Sequence, residues 1–371
     1  MKINKTTALA AALTILVSCS SVSTSQRATD APLGNTETKA EALEFDHDLN
    51  PLLEDWAFSG SILVATGGDV LLHNAYDFGG KPEAGPFTTD RPYAIASMTK
   101  SFTAVLALQL IENGQLSLDE SISDHLPAYA APYRDRVTVR DLLQNRSGIP
   151  HYIDIPGWFE VEYKSTLTQA GFVDAIAKLP LKFEPGTDKL YSNANYFLLG
   201  LIVEAASGKS YEQALKDQIL SPLEMSATGQ IYEDAPAPTL VQNYLREDDG
   251  SLNPIPVTNP KLFKATASMY STTGDLRKWS NALFTNQLLK PESKDLLFSS
   301  DLPMAWTVGA FPMPDESLVQ VRTYNGELIG YNSMITQLPQ QDSVIIILNN
   351  NGVGYENLSA LTYQIAVKLE E

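Results

Sequence analysis

Two regions of this chain have the hydrophobic pattern of β-strands, one near each end. After a helical pattern at about 38–56, short apolar runs at 59–65 and 70–76 are separated by Gly67-Gly68-Asp69, which predicts a β-hairpin. A last helical pattern covers about 355–369. Before it come runs of strand length, rich in β-branched or aromatic residues, near 304–311, 318–324, 331–338 and 343–349.

The middle of the chain instead has apolar residues at helical spacing. These patterns lie at about 97–114, 137–148, 168–178, 194–206, 210–220, 273–284 and 292–298. Strands at both ends with helices between them predict an α+β fold. We expect one antiparallel sheet built from N- and C-terminal strands, flanked by terminal helices, with an inserted, mainly helical lobe and the functional cleft between sheet and lobe.

Two stretches lack a clear period. Residues 234–262 contain Pro and Asn and are predicted to be irregular or short-stranded. Residues 150–167 carry several aromatic side chains, namely Tyr152, Trp158, Phe159 and Tyr163. These aromatics either line a pocket or pack in the core beneath a long loop, and the pattern leaves both interpretations open.

Composition limits the classes of function. The 371 residues, 44% of them hydrophobic, suffice for one large domain, and the formal net charge of −18 argues against nucleic acid as a partner. The four histidines lack metal-ligand spacing, and no G-x-S-x-G elbow or phosphate-binding glycine loop occurs. The sequence therefore predicts no metal and no other cofactor, and it leaves the oligomeric state open.

The first residues have the features of an export signal. Two lysines precede an apolar run from Ala8 to Val17 that is too short to span a membrane. The run ends in Leu16-Val-Ser-Cys19, which resembles a bacterial lipobox, so we expect residues 1–18 to be a lipoprotein signal peptide and Cys19 to be lipidated. A plain secretory signal or a buried structural cysteine are the alternatives.

The stretch after the cysteine sets the expected location. Residues 19–36 are small and polar and predict a flexible tether, followed by a folded domain at 37–371. Ser20 and Ser21 follow the cysteine with no Asp in second place, which by resemblance to bacterial lipoproteins favours the outer over the inner membrane. We expect the domain to be anchored to a membrane by lipid and to face the periplasm.

The first candidate for chemistry is the pair Ser97 and Lys100, three residues apart at the start of a predicted helix that ends at Gly114. Both side chains then lie on one helical face. A serine hydroxyl needs a base to become a nucleophile, and burial near a helix N-terminus lowers the pKa of a lysine enough for that role. Taken alone, an N-cap serine and a surface lysine would explain the pair as well.

Two further stretches agree with that chemistry. Tyr191 and Asn193 lie two apart at a helix entrance, where both can point into one cleft, and a neighbouring ammonium would ease ionisation of the tyrosine. Gly326 on a strand permits close approach of a ligand, and the N–H of Glu327 can serve as an oxyanion donor beside that of Ser97. Each has an ordinary structural explanation when taken alone.

Together, these motifs resemble those of the serine β-lactamase and penicillin-recognising hydrolase superfamily, closest to its class C lactamase, carboxypeptidase and esterase branch. The chain has S-x-x-K at Ser97 and Y-x-N at Tyr191, and Tyr324-Asn-Gly326 stands at the position of the K/H-x-G motif. The three motifs occur in the family's order. Weaker similarities are Leu142-Leu-Gln-Asn-Arg-Ser-Gly-Ile-Pro150, Phe183-Glu-Pro-Gly186 and Gly330-Tyr331. The resemblance spans about residues 45–365.

The resemblance implies a role for each residue. Ser97 would be the nucleophile, Lys100 and Tyr191 its base system in both acylation and deacylation, and Asn193 would orient the substrate's amide or ester. The third motif usually begins with Lys or His, which helps to bind a substrate carboxylate, whereas this chain has the uncharged Tyr324. Arg322, two residues earlier on the same strand face, could supply the missing cation, although a solvent-facing arginine is the commoner case.

The sequence therefore predicts a serine hydrolase that cleaves an amide or ester through an acyl-enzyme on Ser97, with a small peptide, amide or ester as substrate. Peptidase, carboxypeptidase and esterase activities all fit. The alternatives are a β-lactamase and a non-enzymatic protein of the same fold that binds the cell wall or acts as a scaffold.

Overall fold

A computed structural model describes residues 47–79, 88–158, 167–231, 240–247, 249–255 and 263–370. The predicted signal peptide, Cys19 and the tether lie outside these ranges, as do Phe159 and Tyr163 and the first part of the predicted helix at 38–56.

The strands of the main sheet occur in two groups along the chain, as the pattern predicts, and short strands of two or three residues lie between these groups. They are β1 (Ser59–Thr66), β2 (Asp69–Asp77), β3 (Tyr93–Ala94), β4 (Gly229–Gln230), β5 (Tyr244–Arg246), β6 (Leu252–Pro254), β7 (Met269–Ser271), β8 (Thr307–Pro312), β9 (Leu318–Leu328), β10 (Tyr331–Leu338) and β11 (Ser343–Asn349). Most helices lie between the two groups. They are α1 (residues 47–55), α2 (Thr99–Glu112), α3 (Ile122–His125), α4 (Val139–Leu143), α5 (Gln169–Ala177), α6 (Asn193–Ser207), α7 (Tyr211–Leu215), α8 (Thr273–Phe284), α9 (Pro291–Leu297) and α10 (Tyr355–Lys368).

The main sheet is antiparallel and joins the two ends of the chain. Its strand order is β2-β1-β11-β10-β9-β8, so the N-terminal hairpin pairs with the last strand. In that central pairing Ile62 faces Ile347, and on the other side of β11 Ile347 faces Met334 of β10. The predicted α+β architecture is therefore confirmed.

Both faces of the sheet are covered, and β11 shows how. Ile346 and Leu348 point to the helical lobe, where they join a core with Trp279 of α8. Ile345 and Ile347 point to the opposite face and pack with apolar residues of α1 and α10. Because successive side chains of a strand point to opposite faces, a continuous run of apolar residues is what a strand buried on both faces requires.

Helix α2, which follows the candidate nucleophile, is the central helix of the lobe. It is buried on nearly all sides, and its Phe102 stacks on Trp279 of α8 with ring centroids 3.9 Å apart. A helix that is apolar all round belongs in the interior of a large domain. The residues at its N-terminus are therefore held in the core of the molecule.

Several predicted boundaries need correction. The helix predicted at 137–148 covers only Val139–Leu143, because Asn145 takes a left-handed conformation with φ of +57° and cannot continue a helix. The pattern at 210–220 is an α-helix as far as Leu215 and then a π-helical turn, Lys216–Leu220. The small sheet β3-β7-β4 was not predicted, since strands of two or three residues leave no readable period.

Candidate active site

Ser97 lies on a strained turn between β3 and α2. Residues Ala96–Met98 form a 3₁₀ turn, and the buried Ala96 has a positive φ of +48°. A non-glycine residue in this conformation costs of the order of 1 kcal/mol and persists only where its surroundings hold it. Part of that support is Ser333, whose hydroxyl donates to the carbonyl of Ile95 at 2.9 Å. The turn points the Ser97 hydroxyl toward the lobe.

Lys100 is completely buried beside the hydroxyl. Its Nζ lies 2.9 Å from Ser97 Oγ and donates to the carbonyl of Thr266 at 2.9 Å. Both partners are uncharged, so burial lowers the pKa of Lys100 well below the usual value of 10.5. The expected arrangement of Ser97 and Lys100 on one face is thus present, and a buried lysine of this kind can hold a neutral amine that accepts a proton.

Tyr191 completes the group from the other side. Its hydroxyl lies 2.8 Å from Ser97 Oγ, and Lys100 Nζ lies 5.1 Å from the centroid of its ring. The ring forms the mouth of the cleft and is 46% exposed. Burial around the hydroxyl raises the pKa of Tyr191 to about 12, opposite to the easier ionisation that we expected. The reason is that Lys100, itself destabilised as a cation, gives the phenolate little support.

Asn193 is brought next to Tyr191 by the start of α6. Ser192 is the N-cap of this helix, where its hydroxyl accepts from the N–H of Ala194 and donates to the carbonyl of Pro150. The Tyr191 hydroxyl donates to Asn193 Oδ1 at 3.1 Å, and Asn193 Nδ2 donates to the Tyr152 hydroxyl at 3.0 Å. The sequence predicted Tyr191 and Asn193 in one cleft, and the structure brings them together.

The aromatics at 150–158 serve the core and the site together. Trp158 is buried and packs on Tyr152 with ring centroids 4.2 Å apart, whereas the Tyr152 hydroxyl holds Asn193. Trp158 therefore fits the core interpretation, and the Tyr152 hydroxyl contacts the candidate site through Asn193, whereas Phe159 and Tyr163 lie outside the described residues. Nothing in the sequence separates a core tyrosine from one whose hydroxyl reaches a catalytic cleft.

Gly326 lies directly against the turn that carries Ser97. A Cβ at this position would be 2.1 Å from the carbonyl oxygen of Ile95 and 3.0 Å from the backbone nitrogen of Ser97, so no larger residue fits. Strand β8 pairs with β9 only as far as Thr323. The residues of β9 that follow Thr323 therefore form an open strand edge, which faces Ser97. Glu327 is exposed on this edge, and the oxyanion role of its N–H stays a prediction.

Tyr324 and Arg322 have different surroundings on the same strand face. Tyr324 is buried against Trp306, with ring centroids 6.1 Å apart, and burial and the neighbouring Tyr191 raise its pKa well above 10. The guanidinium of Arg322 lies 4.0 Å from the ring centroid of Phe298. Burial lowers the pKa of Arg322 to about 10. The predicted cation is therefore engaged by Phe298, and Tyr324 is the side chain that lies near Tyr191.

His151 is a residue of the cleft that sequence reasoning missed. Its ring lies 6.2 Å from that of Tyr191 at an interplanar angle of 23°, and 4.3 Å from that of Tyr152. Its Nδ1 accepts from the N–H of Ile153 at 3.3 Å, which places the proton of the neutral ring on Nε2. Burial and the proximity of Lys100 lower the pKa of His151 to about 4. Its position directly before Tyr152 was the available signal.

Two classes of structure are absent from the part of the chain that the structure describes. No group of three His, Cys, Asp or Glu side chains there could hold a metal ion. No helix there is long and apolar enough to span a bilayer.

The family follows from comparison with known proteins. The model of the family described as beta-lactamase matches residues 45–370. The chain belongs to the beta-lactamase family. The three sequence motifs and the geometry around Ser97 therefore agree with this family assignment.

Two relatives and one solved structure show the range of the family. The chain is 28% identical over 322 residues to penicillin-binding protein 4* of Bacillus subtilis, a match that covers 80% of this chain and 69% of that protein. It is 31% identical over 312 residues to protein flp of Staphylococcus aureus strain MW2, covering 78% of this chain and only 59% of that protein. The crystal structure of a penicillin-binding protein from Bacillus halodurans superposes with a TM-score of 0.72 at 25% identity, covering 85% of this chain and 99% of that one.

Proposed function

We propose that this beta-lactamase family member is a serine hydrolase that cleaves an amide or ester through an acyl-enzyme on Ser97. The observation that carries the proposal is the hydrogen-bonded group around Ser97 Oγ, with Lys100 Nζ at 2.9 Å and the Tyr191 hydroxyl at 2.8 Å. A lysine buried without a carboxylate partner is costly to keep. The free-energy cost of burying Lys100 is explained if its neutral amine acts as a base.

In acylation, Ser97 Oγ attacks the carbonyl carbon of the substrate and its proton passes to the neutral amine of Lys100. The carbonyl oxygen becomes an oxyanion, and we propose that the N–H groups of Ser97 and Glu327 stabilise it. When the bond to the leaving group breaks, the Tyr191 hydroxyl gives its proton to the leaving amine or alcohol and regains one from the Lys100 ammonium. The products are a Ser97 ester and the protonated leaving group.

In deacylation, the same groups act on water. Water attacks the ester carbonyl and loses a proton through Tyr191 to Lys100, and that proton returns to Ser97 Oγ as the acid is released. Asn193, whose Oδ1 accepts from the Tyr191 hydroxyl in the resting site, helps to hold the Tyr191 oxygen beside Ser97 Oγ.

The test is hydrolysis of p-nitrophenyl acetate and of a D-alanine p-nitroanilide by the purified chain. Wild type should hydrolyse at least one of them, and Ser97→Ala should reduce the rate at least a thousandfold. Ser101→Ala is the matched control, because Ser101 lies on the same helix and donates to the carbonyl of Met98, outside the hydrogen-bonded group around Ser97 Oγ. Equal rates for wild type and Ser97→Ala would contradict the proposal.

We also propose that the domain is exported and held at the cell envelope through lipid on Cys19, as the N-terminal sequence indicates. Globomycin, which blocks lipoprotein signal peptidase, should cause the uncleaved precursor to accumulate, and Cys19→Ala should abolish labelling by a palmitate analogue. A wild-type chain that takes up no lipid label would contradict this proposal.

A further inference from the structure

We infer that Tyr152 is a positioning residue for the reaction at Ser97: its hydroxyl fixes the Asn193 amide, and the amide holds the Tyr191 hydroxyl beside Ser97. This inference rests on the proposed function and adds to it a residue that lies outside the three sequence motifs. It comes from a chain of hydrogen bonds that runs from the core of the lobe to the nucleophile.

The chain has three links. Asn193 Nδ2 donates to the Tyr152 hydroxyl at 3.0 Å. The Tyr191 hydroxyl donates to Asn193 Oδ1 at 3.1 Å, and the same hydroxyl lies 2.8 Å from Ser97 Oγ. Tyr152 is thus separated from the nucleophile by two side chains that the proposed mechanism already uses, and it acts on the reaction through them.

The direction of the Asn193 amide decides what this side chain offers to Tyr191. The two ends of the amide differ, because Oδ1 accepts hydrogen bonds whereas Nδ2 donates them. Asn193 is only 7% exposed, so Nδ2 needs a partner within the protein. Tyr152 supplies this partner, which leaves Oδ1 facing the Tyr191 hydroxyl. An amide turned the other way would present a donor there, and the Tyr191 hydroxyl would lose its acceptor.

The ring of Tyr152 is held by aromatic side chains from three parts of the chain. Its centroid lies 4.2 Å from that of Trp158, 5.9 Å from that of Phe172 on α5 and 6.0 Å from that of Phe263. The ring of His151 covers it as well, with centroids 4.3 Å apart. A side chain packed in this way has one position available. Its hydroxyl is therefore a fixed support, as a reactive group requires.

The same ring also packs against the turn that holds Lys100. The carbonyl of Phe263 accepts from the Thr266 hydroxyl at 2.9 Å, and the carbonyl of Thr266 accepts from Lys100 Nζ at 2.9 Å. Tyr152 therefore meets the Tyr191 side of the site through its hydroxyl and the Lys100 side through its ring. The substitution Tyr152→Phe removes the hydroxyl and keeps the ring, so it separates the two contributions.

The test measures kcat and KM of Tyr152→Phe in the full chain, with the p-nitrophenyl ester or p-nitroanilide that wild type hydrolyses. We expect kcat to fall about tenfold, the scale of one lost hydrogen bond, and KM to stay within about twofold, because the hydroxyl acts on the reacting groups. The rate of phosphonylation by a fluorophosphonate should fall by a similar factor. Tyr133→Phe is the matched control, since Tyr133 is also buried and its hydroxyl donates to the carbonyl of Ile176 at 3.2 Å.

A double-mutant cycle with Asn193 distinguishes positioning from a general loss of stability. If Tyr152 acts through the Asn193 amide, then Tyr152→Phe should have no further effect on kcat once Asn193→Ala has removed that amide. A merely structural effect of the hydroxyl would instead multiply with that of Asn193→Ala. Urea titrations of all variants verify that each is folded under the conditions of the assay.

The outcomes separate this inference from the proposed function. A wild-type kcat in Tyr152→Phe, a loss equal to that in Tyr133→Phe, or effects that multiply in the double variant would overturn the inference while leaving a Ser97-dependent hydrolase in place. Equal rates for wild type and Ser97→Ala, in hydrolysis and in phosphonylation, would contradict the proposed function and this inference with it.

Discussion

At the scale of the residue, the site depends on one buried lysine. Lys100 has no exposed surface, and its partners are a hydroxyl and a carbonyl. A carboxylate in their place would have kept the ammonium charged and useless as a base. Burial lowers the pKa of Lys100, because the uncharged acceptors do not make up for the lost water, and the amine thereby becomes available to Ser97.

The lowered pKa predicts how stability depends on pH. Unfolded Lys100 binds a proton up to about pH 10.5, whereas the folded form releases it at lower pH. Between these two pKa values the unfolded chain holds more protons, so the free energy of unfolding should rise with pH, by at most about 1.4 kcal/mol per unit. The free energy of unfolding of Lys100→Met should lack this rise with pH. The difference in that free energy between wild type and Lys100→Met is therefore specific for Lys100.

Urea titrations of wild type and Lys100→Met at pH 6, 7, 8 and 9 measure that difference. Activity should follow the same proton, increasing with pH as the amine loses its charge, with no loss near pH 9 from Tyr191, whose pKa is about 12. Parallel stability curves for the two proteins would mean that Lys100 remains a cation throughout, and the assigned base would then be wrong.

At the scale of the element, the site is a contact between one turn and one strand edge. The 3₁₀ turn that carries Ser97 would not hold its positive φ at Ala96 without β9 and β10 beside it. Strand β9 can approach because position 326 has no side chain. The nucleophile's geometry is therefore set by packing between distant parts of the chain.

Gly326→Ala tests that contact. The added methyl group would be 2.1 Å from the carbonyl oxygen of Ile95, so turn and strand must separate. We expect at least a hundredfold loss of kcat/KM and a loss of about 1–3 kcal/mol in stability, as for overpacked cores. Gly354→Ala, where an added Cβ meets nothing within 4 Å, is the control. Wild-type activity in Gly326→Ala would show that the approach of β9 is not required.

Elements also show what sequence can and cannot predict. Strands at 331–338 and 343–349 were predicted at the bounds that the structure has, because their apolar runs are flanked by turn residues. The pairs Ser97–Lys100 and Tyr191–Asn193 were predictable because a short spacing fixes each pair, and the family resemblance implied that the two pairs meet in one site. The position of His151 in the cleft and the stacking of Arg322 on Phe298 were not predictable, since both depend on which distant side chains fold together.

At the scale of the whole molecule, the two ends of the chain build the sheet and its middle builds the lobe. Pairing of β1 with β11 closes this arrangement, and the cleft forms where β9 passes the start of α2. The proposed catalytic group thus draws on residues about 230 positions apart, from Ser97 to Gly326. Since the sheet is complete only with both ends in place, we expect the site to form together with the whole domain.

The central claim is that Ser97 is the activated nucleophile. Incubation of the purified chain with a fluorophosphonate, followed by intact mass and peptide mapping, tests it most directly. We predict a single phosphonyl adduct on the peptide that contains Ser97, formed by wild type and Ser101→Ala, absent from Ser97→Ala and strongly slowed in Lys100→Met. No adduct on wild type, or an adduct that persists in Ser97→Ala, would contradict the account.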